Sequence, residues 1–76
     1  MWRLAEIGKT IITIRKQKGY TQEQLALECD ISVSYLRLIE HGRANFTCKE
    51  LVKIADALNV ELSDLLTIQA GRRAMK

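Results

Sequence analysis

The sequence of 76 residues contains no proline, only four glycines and only two cysteines. Without proline, no helix is broken by a residue that lacks a backbone donor, so the chain is expected to be mostly helical. Cys29 and Cys48 stand 19 positions apart with no CxxC motif, and His41 is the only histidine. These features exclude a disulfide scaffold and leave a zinc site without ligands. A reduced, cytoplasmic protein without a metal or other cofactor is therefore expected.

Long apolar runs are also missing. The longest stretch, residues 11–14, is interrupted by Thr13, and charged residues stand before it. A membrane helix needs about 20 apolar residues, and the beginning of the chain does not resemble a signal peptide. One histidine, two unpaired cysteines and no glycine-rich phosphate loop leave nothing around which an active site could assemble. The sequence therefore predicts no membrane partner, no small-molecule ligand and no enzyme activity.

The composition that is present suits one small domain over residues 1–76. Apolar residues make up 47% of the chain and charged residues 28%, as in ordinary globular proteins. Chains of this size bury only about 60% of their surface, so the core has little spare stability. A homodimer is therefore expected even before any motif is considered.

Apolar spacing and capping residues predict five helices. The first has apolar residues at spacings of three and four, which form one stripe of a helix. Thr21 with Gln24, and Thr47 with Glu50, are capping boxes that open the second and fourth helices. In chain order, the predicted helices run from Leu4 to Gly19, from Gln22 to Cys29, from about Val33 to Glu40, between Thr47 and Asn59, and from roughly Glu61 to Gln69.

Residues 21–42 form two short helices joined by a brief turn, the layout by which a small domain places one helix in the DNA major groove. Ala26 is small enough for the two helices to cross closely. The wedge between them is filled by Leu25, Ile31, Leu36 and Ile39. Over about residues 7–66, and most specifically in the run TQEQLALECDISVSYLRLIEHGRANFT, the chain resembles the phage-repressor and Cro-like (Xre) helix-turn-helix family.

The resemblance implies an all-α, compact five-helix bundle of the lambda-repressor type, with helices 2 and 3 forming the helix-turn-helix. Asp30 departs from the pattern, because many members of the family have glycine at this turn. Asp tolerates the left-handed conformation better than most residues, so the departure is compatible with the fold.

The implied function is that of a sequence-specific DNA-binding transcriptional regulator, a homodimer on a palindromic operator in double-stranded DNA. The size and the loop at residues 43–47 resemble the controller proteins of restriction-modification systems, and small prophage repressors are nearly as similar. The alternative is an antitoxin-like module that binds a toxin as well as DNA. Such proteins usually need an extra segment for the toxin, and only residues 1–5 and 70–76 are spare here.

The resemblance also implies roles for individual residues. Arg37 is the best candidate for base recognition, because a guanidinium can contact guanine O6 and N7 together. An exposed arginine is as often a phosphate clamp or merely solvated. Gln22 begins the second helix, where the helix dipole favours an anion; otherwise it is a simple first-turn residue. The expected base contacts are Val33, Ser34, Tyr35 and Arg37, and the expected phosphate contacts are Gln22, Ser32, Arg43 and Asn45.

Two further sets of residues have structural roles. In the family, the arginine that corresponds to Arg15 pairs with the glutamate that corresponds to Glu40, which fixes the first helix against the third. The last helix, about residues 61–70, is the expected dimerisation helix because it has more apolar surface than one short helix can bury. The expected interface residues are Leu62, Leu65, Leu66 and Ile68, although all four could instead close the bundle.

The charge distribution favours the dimer. Residues 1–20 carry a local charge of +4, whereas residues 21–47, which include the predicted helix-turn-helix, carry −2. With so few basic groups near the groove, useful affinity has to come from helix N-termini, loop amides and a second protomer. A two-fold dimer would place its two recognition helices about 34–36 Å apart.

Overall fold

The computed structural model describes residues 4–66, and within this range the chain forms five α-helices and no strand. In chain order the helices are α1 (Leu4–Gln17), α2 (Gln22–Cys29), α3 (Val33–Glu40), α4 (Cys48–Leu58) and α5 (Leu62–Leu66). The all-α, five-helix fold expected from the sequence is confirmed. The predicted continuation of the last helix to residue 69, and residue Ile68 with it, lie outside the described residues.

Both predicted capping boxes are present. At the start of α2, the Thr21 hydroxyl accepts a hydrogen bond from the Gln24 N–H at 3.0 Å, and the Gln24 side chain accepts one from the Thr21 N–H at 2.9 Å. Thr47 and Glu50 make the same two hydrogen bonds at the start of α4, each 3.1 Å long. These hydrogen bonds satisfy N–H groups that have no intrahelical partner, which is why the helices begin at these residues.

The C-terminal ends of α2 and α4 turn through left-handed residues. Asp30 has φ 59° and Asn59 has φ 60°, values that Asp and Asn tolerate because their short polar side chains can make local hydrogen bonds. The N–H groups of Ile31 and Val60 then bond to the carbonyls of Ala26 and Ala55, both at 3.0 Å. Asp30 therefore adopts the left-handed conformation of this turn without a glycine.

The core lies where α1 to α4 meet, with one residue from α5. Its buried apolar side chains are Ile7, Ile11, Leu25, Ala26, Cys29, Leu36, Ile39, Leu51, Ile54, Ala55, Leu58 and Leu65. Of the predicted wedge between α2 and α3, Leu25, Leu36 and Ile39 are fully buried and Ile31 is half-buried. These side chains fill the space between α2 and α3 and so set the angle at which the two helices cross.

Gly8 lets α1 approach the end of α3 closely. A Cβ atom at Gly8 would lie only 2.6 Å from the carbonyl oxygen of Ile39, a distance that real side chains do not adopt. Only glycine therefore allows this contact without a backbone shift. The contact sets α1, which carries Arg15, against the helix that carries Glu40.

Leu65 corrects one prediction for the last helix. It has no exposed surface within the single chain, whereas Leu62 and Leu66 are half-buried. Leu65 is thus a core residue and offers no area to a second protomer, because α5 turns this side chain into the space next to α1 and α4. No helix in the described part of the chain is long and apolar enough to cross a membrane.

Candidate nucleic-acid interface

The third helix presents one buried face and one polar face. A turn at residues 30–32 joins it to α2. Leu36, Ile39 and Glu40 face the core, and the exposed residues of the same helix are Ser34, Arg37 and Leu38. Leu36 and Ile39 hold the helix in place, so its opposite face is available for recognition without any change in the core.

Ser32 caps α3. Its hydroxyl accepts a hydrogen bond from the Tyr35 N–H at 3.0 Å, which explains why the helix begins at Val33. A hydroxyl that accepts in this way still has its own proton to donate. Ser32 can therefore cap the helix and donate to a phosphate oxygen at the same time. Val33 is half-buried and Ser34 is exposed.

Tyr35 connects α3 with the start of α4. Its hydroxyl donates to Oε1 of Glu50 at 2.7 Å, and the same oxygen accepts from the Thr47 N–H at 3.1 Å. This hydrogen bond raises the pKa of the Tyr35 phenol. The Tyr35 hydroxyl, followed by the Thr47 N–H, lowers the pKa of the Glu50 carboxyl. The hydroxyl proton is thus engaged with α4, which leaves the ring of Tyr35 and the lone pairs of its oxygen for other contacts.

Arg15 and Glu40 are in direct contact inside the protein. Nε of Arg15 lies 2.7 Å from Oε2 of Glu40, and Nη2 of Arg15 lies 3.3 Å from Oε1. Glu40 is 2% exposed and Arg15 8%. A third donor of Arg15, Nη1, reaches the carbonyl oxygen of Tyr20 at 3.0 Å. The pair therefore joins α1, α3 and the turn before α2.

Gln22 extends this buried pair to the protein surface. Its Nε2 donates to Oε1 of Glu40 at 2.8 Å, and its Oε1 accepts from Nε of Arg37 at 3.2 Å. The four side chains Arg15, Glu40, Gln22 and Arg37 thus form one hydrogen-bonded series, here called the Arg15–Arg37 network. The sequence predicted the first two as a pair, but gave no sign that Gln22 joins them to Arg37.

The loop after α3 carries the remaining predicted phosphate contacts. Arg43 and Asn45 are both exposed, and the backbone of Arg43 is held by a 2.8 Å hydrogen bond from its N–H to the Leu38 carbonyl. Nδ1 of His41 lies 2.8 Å from the Arg37 carbonyl oxygen. The loop therefore leaves the end of α3 in a defined conformation, with two polar side chains exposed beside the helix.

The cysteines occupy different surroundings. Cys29 is buried, and burial raises the pKa of its thiol to about 11, so that the thiol stays protonated near neutral pH. Its Sγ lies 3.8 Å from the carbonyl oxygen of Lys53. Cys48 is exposed at the first residue of α4. Between residues 4 and 66 no three His, Cys, Asp or Glu side chains are grouped so as to hold a metal ion.

Two eight-residue helices, α2 and α3, are joined by a tight turn inside a five-helix domain, and α3 exposes a polar face. This arrangement is typical of helix-turn-helix DNA-binding regulators. The helix-turn-helix family HTH_3 matches residues 11–65, and the chain belongs to this family. The membership expected from the resemblance is thereby confirmed.

Relatives of known name agree with this class. The HTH-type transcriptional regulator SlrR of Bacillus subtilis (strain 168) is 45% identical over 60 residues, which cover 78% of this chain and 40% of SlrR. The restriction-modification controller protein C.AhdI from Aeromonas hydrophila has a TM-score of 0.81 and 32% identity, over 83% of this chain and 96% of C.AhdI. The structure of SinR, the master regulator for biofilm formation, in complex with DNA matches with a TM-score of 0.73 and 35% identity. The match covers 78% of this chain and 95% of the SinR chain in that structure.

Proposed function

We propose that this chain regulates transcription as a homodimer that binds a two-fold symmetric DNA operator in the cytoplasm. In this proposal α2 and α3 form the helix-turn-helix, and α3 enters the major groove. Among regulators of the family we favour a controller-type protein, because the size and the loop at residues 43–47 resemble those proteins and because this chain covers 96% of the C.AhdI chain but only 40% of SlrR.

The observation that carries the proposal is the two-sided character of α3. Leu36 and Ile39 anchor one face in the core with no exposed area, while Ser34 and Arg37 are exposed on the other. A helix held in this way fits a major groove that is about 12 Å wide. The N-terminus of α2 and the loop with Arg43 both contact α3, through the hydrogen bonds of Gln22 with Arg37 and of the Arg43 N–H with Leu38. In the proposal they bind the DNA backbone beside the groove.

Base recognition is assigned to four residues of α3. Arg37 contacts guanine, since its guanidinium matches the paired acceptors O6 and N7. Ser34 donates or accepts at a base edge, and Val33 and the ring of Tyr35 contact thymine methyl groups. Leu38, 44% exposed on the same helix, is a fifth candidate, for an apolar contact, which the sequence analysis did not name.

Phosphate binding is assigned to the groups that surround α3. The backbone N–H of Gln22 lies in the first turn of α2, where N–H groups have no intrahelical partner and attract anions. Ser32 donates its hydroxyl proton, and Arg43 and Asn45 donate from the loop. These contacts position the protein on DNA but do not distinguish sequences.

Selection from random DNA duplexes with the purified protein tests the proposal. We expect the enriched duplexes to share two inverted half-sites whose centres are separated by one helical turn, about 10 base pairs, or a multiple of it. Enrichment of no sequence, or of a single half-site without symmetry, would contradict the homodimeric operator complex.

The substitutions Arg37→Ala and Arg43→Ala separate base recognition from phosphate binding. Arg37→Ala should relax the preference at one base pair in each half-site, at a cost of about 1–3 kcal/mol in discrimination. Arg43→Ala should weaken binding to all duplexes alike and reduce the slope of affinity against salt concentration. Affinities measured on the selected duplex and on single-base variants, at several salt concentrations, provide both readouts. If both substitutions lower the affinity for every duplex by the same factor, Arg37 contacts a phosphate and does not read a base.

A further inference from the structure

We infer that the side chain of Gln22 is a positioning residue, which orients Arg37 for base recognition and ties that orientation to the buried Arg15–Glu40 pair. The inference rests on the proposed function, because it concerns how Arg37 meets a base. It gives the Gln22 side chain a role different from that of its backbone N–H, which is assigned to phosphate.

The inner end of the Arg15–Arg37 network is fixed. Glu40 is 2% exposed, and its two oxygens accept hydrogen bonds from Nε and Nη2 of Arg15 at 2.7 and 3.3 Å. A buried carboxylate held by two arginine donors has little freedom to rotate. Glu40 therefore offers Oε1 to Gln22 at a constant place, 2.8 Å from Nε2 of that residue.

The chemistry of the partners decides which way the Gln22 amide faces. Glu40 as a carboxylate only accepts hydrogen bonds, so Gln22 has to present its NH₂ group to it. The Gln22 carbonyl oxygen is thereby turned away from Glu40, and it accepts from Nε of Arg37 at 3.2 Å. Since a guanidinium only donates, the reversed amide would place two donors together and two acceptors together. The amide has one favourable orientation, and Arg37 is held by it.

The hydrogen bond uses the part of Arg37 that base reading does not need. Nε is engaged with Gln22, while the two Nη groups at the end of the side chain remain to donate to guanine O6 and N7. An exposed arginine otherwise loses much side-chain freedom when it binds, and restraint before binding reduces that loss. Gln22 therefore contributes to sequence discrimination without touching a base.

The experiment compares Gln22→Ala with the unaltered protein in two measurements. The first is the ratio of affinities for the selected duplex and for the duplex altered at the base pair that Arg37 reads. We expect this ratio to fall by at least about threefold, part of the discrimination that one arginine contact supplies. Gln22→Ala keeps the backbone N–H that is assigned to phosphate, so affinity for the altered duplex should fall less than affinity for the selected duplex. The double substitution Gln22→Ala with Arg37→Ala should behave like Arg37→Ala alone.

The second measurement needs no DNA. Nitrogen-15 relaxation of the Arg37 Nε–Hε group reports how ordered this side chain is on the ps–ns timescale. The order parameter should fall in Gln22→Ala and also in Gln22→Met, which keeps the length of the side chain without its hydrogen bonds. Gln17→Ala is the matched control, because Gln17 is an exposed glutamine at the end of α1, and it should change neither measurement. Because Glu40 keeps Arg15 as its partner, the variants should fold.

The outcomes separate this inference from the proposed function. If the unaltered protein prefers no duplex, the proposed function fails and the positioning role fails with it. If the unaltered protein has a preference that Gln22→Ala retains, or if Gln22→Ala weakens all duplexes equally, only the positioning role is overturned. An unchanged Arg37 order parameter in both Gln22 variants overturns it as well.

Discussion

Glu40 is a charged side chain that the fold buries almost completely, at 2% exposure. Taking a carboxylate out of water costs several kcal/mol unless a counter-charge and further hydrogen bonds replace the water. Arg15 supplies the counter-charge at 2.7 Å, and Gln22 supplies an additional donor at 2.8 Å. At the scale of the residue, the pair thus specifies how α1 meets α3, while its net contribution to stability is modest compared with the cost of losing one partner.

Glu40→Gln should therefore be strongly destabilising. The substitution leaves the guanidinium of Arg15 buried without a counter-charge, and breaking a buried pair in this way typically costs about 3–5 kcal/mol. Urea unfolding at pH 7, followed by circular dichroism, measures the free energy of unfolding. Glu28→Gln is the control, since Glu28 is exposed on α2 and its loss should change the free energy by about 0.5 kcal/mol or less. Equal stability of the two variants would contradict a structural role for the pair.

The side-chain contacts of the site differ in how well they can be predicted from the sequence. Thr21 and Gln24 were predictable as a capping box because the partners stand three positions apart in a fixed pattern. The contact of Arg15 with Glu40 was predicted only through the family resemblance. The hydrogen bond from Arg37 to Gln22 spans 15 positions, and local patterns contain no information about contacts of that kind. It emerges only when α2 and α3 are packed on a common core.

At the scale of the element, one hydrogen bond couples α3 to α4. The Tyr35 hydroxyl donates to Glu50, and Glu50 in turn closes the capping box with Thr47. The loop between these helices carries Arg43 and Asn45. The hydrogen bond between Tyr35 and Glu50 therefore also limits how far this loop can move away from α3. The arrangement links the proposed base contacts with the proposed phosphate contacts.

Tyr35→Phe should lower thermal stability in a pH-dependent way. The hydroxyl holds the pKa of the Glu50 carboxyl below its ordinary value of 4.5. A lowered pKa in the folded state means that this stabilisation is present above about pH 4.5 and is lost as the pH falls through the lower folded value. The melting temperature of Tyr35→Phe should thus lie a few degrees below that of the unaltered protein at pH 7, and the difference should shrink at pH 3.

Tyr20→Phe provides the control for this pH dependence. Tyr20 is a half-buried tyrosine in the turn before α2, and the hydroxyl that donates to Glu50 is that of Tyr35, not that of Tyr20. Its substitution should shift the melting temperature by the same amount at both pH values. A Tyr35→Phe difference that is equally large at pH 3 and pH 7 would mean that the hydroxyl acts through packing and not through the Glu50 carboxylate.

The positions of the helices could largely be predicted from the sequence. Which of their side chains are buried and which are exposed could be predicted less well. The bounds of α2 and α3 agree with prediction because caps and the apolar period act locally. Of the four apolar residues predicted for the last helix, three lie in α5, and they are too closely spaced in the sequence for a pattern to show which of them face inward. Burial of Leu65 is decided by where α1 and α4 lie, and the sequence of the short helix does not contain that information.

At the scale of the whole molecule, the distribution of charge leads us to expect that a single protomer binds DNA weakly. Residues 21–47 carry a net charge of −2, and the net charge of +3 for the chain comes mostly from residues 1–20. Because each phosphate contact adds to affinity and to its dependence on salt, one protomer has few such contacts to offer. Two protomers joined rigidly double the contacts and add their binding free energies.

Leu66→Glu should separate the protomers. Leu66 is half-buried in α5 and, unlike Leu65, retains area for a partner; a carboxylate there would lose its hydration in an apolar interface. Sedimentation at micromolar concentration should give twice 8.7 kDa for the unaltered protein and 8.7 kDa for the variant. The variant should also bind the two-half-site operator no more tightly than a single half-site. Leu27→Glu, a matched change at a leucine of α2 that is 81% exposed, should leave the dimer intact. If the unaltered protein stays monomeric, the proposed dimer is wrong. If the Leu66→Glu variant is still a dimer, the interface lies elsewhere than at Leu66.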